Sequence, residues 1–199
     1  MSKAMLDEKT DIEVATMRYV SAKTTIPIPK VHGYAFSDTG LNGLPYIIVD
    51  YVDGHSLKGL GFKSGETFGP ITFGGPQTPT AKHLYRQLAD VYVKLRQLEF
   101  PRIGALGLPS RDMPASTCNP EDIRVCNRPL SIDMALQELD GLEPGLVFAP
   151  RATLSTAREY VDGLLLLADN KLQKEPDQGM DENEPASILY AVHHFKRFV

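Results

Sequence analysis

The sequence predicts an α+β protein in which a small sheet-bearing part precedes a larger, mostly helical part. Three observations carry that expectation: two short β-prone runs around an Asn42-Gly43 turn, a Gly/Pro-rich break after them, and helical apolar spacing in later segments. A packed core is compatible with the chain, because 199 residues with 42% apolar and 23% charged side chains match an ordinary globular composition.

Asp7 to Lys23 carries Ile12, Ala15, Met17, Tyr19 and Val20 on a mixed but helix-compatible apolar face. That helix stops near Thr25, because Pro27 and Pro29 remove backbone donors and push the residues before them toward extended geometry. Val31 to Phe36 and Pro45 to Val52 are then the two strands of a hairpin. Lys58 to Thr80 concentrates glycine and proline into an irregular loop and marks a lobe boundary, which divides the chain into residues 1–54 and 55–199.

Thr80 is a candidate cap for a helix in which Leu84, Leu88, Val91, Leu95 and Leu98 share one face. Pro101 to Pro150 shows little periodicity and is expected to be mostly loop, with one short helix around Ile132 to Leu139. Ala152 to Leu172 forms a second long helix, with Thr153 or Ser155 as its cap. Lys174 to Glu184 is a charged linker, and Pro185 takes the first position of a last helix carrying Ile188, Leu189, Val192 and Phe195.

A net charge of -4 leaves no broad basic footprint, so nucleic acid and anionic membrane are not expected partners. The apolar run Val161 to Ala168 is interrupted by Asp162 and falls far short of the roughly 20 residues needed to span a bilayer. Met1 to Asp11 mixes Lys, Asp and Glu without an apolar stretch that could act as a secretory signal, which gives a cytoplasmic expectation. Cys118 and Cys126 lie in a polar stretch with no second pair, so they are expected to be reduced and structurally incidental.

Three stretches carry a family likeness. They are Glu13-Val-Ala-Thr-Met-Arg-Tyr-Val20 followed by Thr25-Ile-Pro-Ile-Pro-Lys-Val31; Leu44-Pro-Tyr-Ile-Ile-Val-Asp-Tyr-Val-Asp-Gly54; and Gln87-Leu-Ala89 through Leu98-Glu-Phe-Pro-Arg-Ile-Gly-Ala-Leu106. In order and spacing they resemble the aminoglycoside phosphotransferase-like kinases, especially the fungal group. The resemblance implies a partial kinase-like fold, truncated at both ends. Its remnant N-lobe would hold helix C, a short antiparallel β pair and the hinge, and its partial, mostly helical C-lobe would end before the catalytic loop.

What the resemblance implies about sites follows residue by residue. Glu13 matches the helix C carboxylate, which in kinase-like folds pairs with a strand lysine to hold the ATP phosphates. That lysine strand and the glycine-rich loop are not found in Met1 to Ile12. Asp50 would offer its carbonyl, and Val52 its amide and carbonyl, to the adenine edge at the hinge. Phosphoryl transfer also needs an aspartate base in a His-Gly-Asp loop, a following asparagine and a magnesium-binding aspartate. None matches: the His-Gly pair His32-Gly33 continues as Tyr34, and with no Trp in the chain an Asp-Trp metal motif is missing too. No residue is therefore assigned a catalytic or metal-binding role. ATP and magnesium are implied as cofactors of full-length relatives, with a small-molecule hydroxyl as acceptor, and neither cofactor is expected to bind productively to this chain.

Other groupings have simpler explanations. Gly59-Leu-Gly61 lacks the Gly-Lys-Ser/Thr ending of a phosphate loop. His193 and His194 cannot both face one metal from a helix, and no carboxylate or cysteine stands at ligand spacing. Asp50 and Asp53 flank an expected hinge turn without a Ser in a nucleophile elbow, and Gly54 at a turn explains the cluster more simply. Two alternatives accompany the inactive kinase fragment: a pseudokinase-type module that binds a protein partner through uncovered apolar faces, or a fragment from an incomplete gene model.

Overall fold

In the computed structural model, residues 1–56, 79–110, 118–174 and 183–195 are described. They form a mixed α+β structure with two separate two-stranded antiparallel sheets. The Gly/Pro-rich stretch and most of the charged linker lie outside the described residues.

Helix α1 (Lys3–Lys23) begins four residues before the expected Asp7, because Ser2 caps it: the Ser2 hydroxyl accepts from the Met5 amide at 3.2 Å. It ends where the prolines require. Thr24 donates both its amide and its hydroxyl to the Val20 carbonyl, at 3.0 and 2.7 Å. Strands β1 (Val31–Ala35) and β2 (Tyr46–Val49) pair antiparallel. Between them Asn42 and Gly43 both take positive φ, 56° and 71°, the two left-handed residues that a type I′ turn demands.

The stretch expected to be mostly loop contains a second hairpin. Strands β3 (Ala105–Gly107) and β4 (Arg124–Asn127) pair antiparallel, and α3 (Ile132–Leu139) follows within the expected bounds. Three- and four-residue strands are too short to display a period-two pattern, which is why periodicity alone passes over them. Their burial is nonetheless substantial. Leu106, Leu108 and Ile123 join Val14, Ala15 and Phe36 in the main apolar core, so that core draws residues from both sides of residue 54.

A second core joins Met134, Phe148 and Leu167. Reciprocal 2.8 Å backbone bonds between Ile103 and Leu154 tie the approach to β3 to the approach to α4 (Ala157–Lys174). The cap of α4 is Thr156, not Thr153 or Ser155. Its hydroxyl accepts from the Glu159 amide at 3.2 Å, while the Glu159 carboxylate reaches back to the Ser155 and Thr156 amides at 2.7 and 3.4 Å. This reciprocal arrangement is a capping box.

Helix α2 (Pro79–Arg96) takes in Thr80 as its second residue, so Thr80 is inside the helix and not its cap. Helix α5 (Asn183–Phe195) likewise starts before Pro185, which sits third, still within the turn whose amides need no intrahelical partner. Among the described residues no helix is long and apolar enough to cross a membrane, and no group of His, Cys, Asp or Glu side chains could hold a metal ion.

Candidate functional site

Three acidic side chains on α1, Asp7, Glu8 and Asp11, are buried, and each grips a different segment of the chain. The Asp7 carboxylate accepts from the Ser37 amide and hydroxyl, at 2.7 and 2.8 Å, just beyond β1. Asp11 accepts from the Leu108 amide at 3.1 Å and from Asn127 Nδ2 at 2.7 Å, joining α1 to both strands of the second hairpin. Glu8 takes a forked contact from Arg128, at 2.8 and 2.6 Å to its two oxygens. The spacing of these acids puts them on one side of the helix, buried in spite of their charge because each is satisfied.

Glu13 lies elsewhere. It is two residues past Asp11, roughly 200° around the helix, and is solvent-exposed. It makes no ion pair among the described residues. The carboxylate singled out by resemblance and the carboxylates that hold the fold together are therefore different residues of one helix.

Asp50 and Val52, the residues expected to form a hinge, sit at the exit of β2 (Tyr46–Val49). The Asp50 amide donates to the Lys30 carbonyl at 3.0 Å and extends the β1–β2 ladder by one rung. Its carboxylate turns back to accept from the Lys30 amide at 2.9 Å and from His32 Nε2 at 2.5 Å. These bonds, His32 first and the Lys30 amide second, hold the Asp50 carboxyl below its ordinary value. The side chain of Asp50 thus clamps the strand exit, a role separate from the backbone role expected for it.

Beyond this clamp the backbone is open. Among the described residues no hydrogen bond engages the Asp50 carbonyl, the Val52 amide or the Val52 carbonyl. Tyr51 and Val52 are exposed, at 91% and 65%. Those three polar groups, presented beside exposed apolar side chains, can recognise a flat heteroaromatic edge by main-chain hydrogen bonds. Among the described residues Glu13 makes no hydrogen bond or ion pair with Asp50 or Val52 and lies on a different element, so the expected site residues are only partly brought together.

Sequence reasoning missed the His32–Asp50 contact because cross-strand neighbours depend on register. The register between β1 and β2 shifts at Val31/Gly33, so counting outward from the Asn42-Gly43 turn does not lead to it. The buried acids offered a readable signal, three carboxylates at helical spacing on one face. Their partners Asn127 and Arg128 offered none.

Comparison with known proteins adds a limited likeness. No family model and no solved structure matches the chain. Over 114 aligned residues it is 26% identical to a Candida glabrata protein named "Altered inheritance of mitochondria protein 9, mitochondrial", a stretch covering 52% of this chain. The chain spans 17% of that protein's length, so the likeness is to one segment of a much larger molecule.

Proposed function

We propose that this chain is part of a kinase-like domain of the aminoglycoside phosphotransferase type, with a nucleotide-base site at the exit of β2 and no phosphotransferase activity of its own. The observation that supports the reading best is the open backbone of Asp50 and Val52. The groups that the resemblance assigns to the adenine edge are groups left unbonded among the described residues, on a strand exit fixed by the Asp50 side chain. The inactivity rests on the sequence: no residue matches the phosphate-binding lysine, the catalytic aspartate or the magnesium-binding aspartate.

Calorimetric titration with adenosine and ADP tests the site. The wild-type protein is expected to bind adenosine, and Val52→Pro, which deletes the amide donor, to lose that binding with an unchanged circular dichroism spectrum. Absence of wild-type binding, or equal binding by the variant, overturns the site. Incubation with ATP, magnesium and small alcohol acceptors tests the inactivity, which sustained transfer proportional to protein would overturn.

A second reading, a protein-binding module, is favoured by α2. Two residues of its predicted apolar stripe, Leu88 and Leu95, are 44% and 38% exposed beside exposed Tyr85, Tyr92 and Val93, while Leu84, Val91 and Leu98 are half-buried. Size-exclusion chromatography with a solvatochromic dye distinguishes it: a monomer that binds no dye counts against this reading. A cytoplasmic location belongs to the proposal and competes with the mitochondrial one in the Candida glabrata protein's name; fractionation of cells carrying the tagged protein decides between them.

A further inference from the structure

A second concave surface lies away from the hinge. A polar cleft of ≈ 440 Å³ opens between the second hairpin and the turn that follows Phe148, lined by Asp11, Leu108, Asp122, Arg124, Cys126 and Arg151 among others. Two of those side chains are guanidinium groups from distant parts of the chain, and neither makes a hydrogen bond or an ion pair with any described residue. The carboxylates of the cleft do not occupy them. Asp11 is taken by the Leu108 amide and Asn127, and Asp122 forms no ion pair among the described residues.

The backbone at Arg151 is an independent observation. The Ala152 amide donates to the Ala149 carbonyl at 3.0 Å, closing a turn with Pro150 second and Arg151 third. Arg151 has φ 61°, a position in which glycine or asparagine is favoured. An arginine is held there against its own backbone preference, and its side chain lines the cleft. Burial above all, followed by the charge of Asp11, raises the Cys126 thiol above its ordinary value, so at neutral pH it adds no negative charge to the cleft.

We infer that this cleft is a ligand site for a phosphate monoester dianion, gripped by the Arg124 and Arg151 guanidinium groups. Two planar forks of donors from different elements suit the oxygens of one phosphoryl group, which can accept from both at once. Asp11 and Asp122 at the same cleft weaken the grip by repulsion. The site shares no residue with the Asp50–Val52 hinge, so it stands or falls separately from the nucleotide reading.

Inorganic phosphate titrated into the protein at constant ionic strength, with chloride as the balancing anion, provides the test. Saturable binding is expected, weakened tenfold or more in Arg124→Gln and in Arg151→Asn, tightened in Asp122→Asn, and unchanged in Arg158→Gln, which lies on α4 outside the cleft. Because asparagine suits the backbone at position 151, Arg151→Asn is also expected to melt no lower than wild type. Absence of saturable wild-type binding, equal affinity in the arginine variants, or a lowered melting temperature for Arg151→Asn would each overturn the inference, the last by making Arg151 a structural residue.

Discussion

Glu8 and Arg128 form a buried, forked ion pair. Arg128 Nη2 stands 2.6 Å from Glu8 Oε2, the two side chains are 9% and 5% exposed, and Arg128 Nη1 donates onward to the Phe148 carbonyl at 2.7 Å. A buried pair of this kind punishes removal of one partner far more than removal of both, because the survivor is left charged and unpaired.

Arg128→Met is therefore expected to destabilise the protein by about 3–5 kcal/mol, read from the urea midpoint. The double variant Glu8→Leu with Arg128→Met is expected to recover much of that loss. A double variant no more stable than the single one would mean that the Phe148 carbonyl, not Glu8, is the partner that matters.

The Asp50 clamp makes a pH prediction. Hydrogen bonds from His32 and the Lys30 amide depress the folded-state carboxyl below its ordinary value. A depressed carboxylate contributes its stability fully above the ordinary carboxylate range and loses it as pH falls through the lowered value. Carboxyl NMR titration should find Asp50 titrating below its ordinary value in the wild type and moving back up in His32→Gln. An unchanged titration in that variant would remove His32 as the principal cause.

Gly163 in α4 sets two effects against each other. Alanine in a helix interior gains about 1 kcal/mol over glycine, but a Cβ at Gly163 would overlap the Phe148 ring in the second core. Overpacking of a filled core costs about 1–3 kcal/mol. Gly163→Ala is expected to lower the melting temperature, with repair by the companion change Phe148→Leu. A rise in melting temperature for the single variant would show that the ring has room to move.

Features encoded over a few neighbouring residues were legible in the sequence. The stop of α1 followed from Pro27 and Pro29, the first turn from Asn42-Gly43, and α3 from its own apolar spacing. Features that depend on distant partners were not. The β3–β4 hairpin is defined by packing against α1, and its strands carry too few residues to announce themselves. The candidate site divides in the same way: a strand leading to Asp50 was readable, although it ends at Val49 and not at Val52, while the side-chain clamp at its exit needed a register that the sequence does not spell out.

The three acids of α1 also have a consequence in time. Arg128 follows Glu8 by 120 residues, and Asn127 follows Asp11 by 116. At a synthesis rate of about 5–20 residues per second, about 6–24 s separate the synthesis of Glu8 from that of its partner. During that interval Glu8 and Asp11 lack Arg128 and Asn127, although the Ser37 partner of Asp7 is already made, and Val14 and Ala15 have no β3–β4 surface to cover them. Helix α1 is thus joined to β4 only once Asn127 and Arg128 have been made, and nascent chains ending before Asn127 are the species in which a chaperone would find that side of it open.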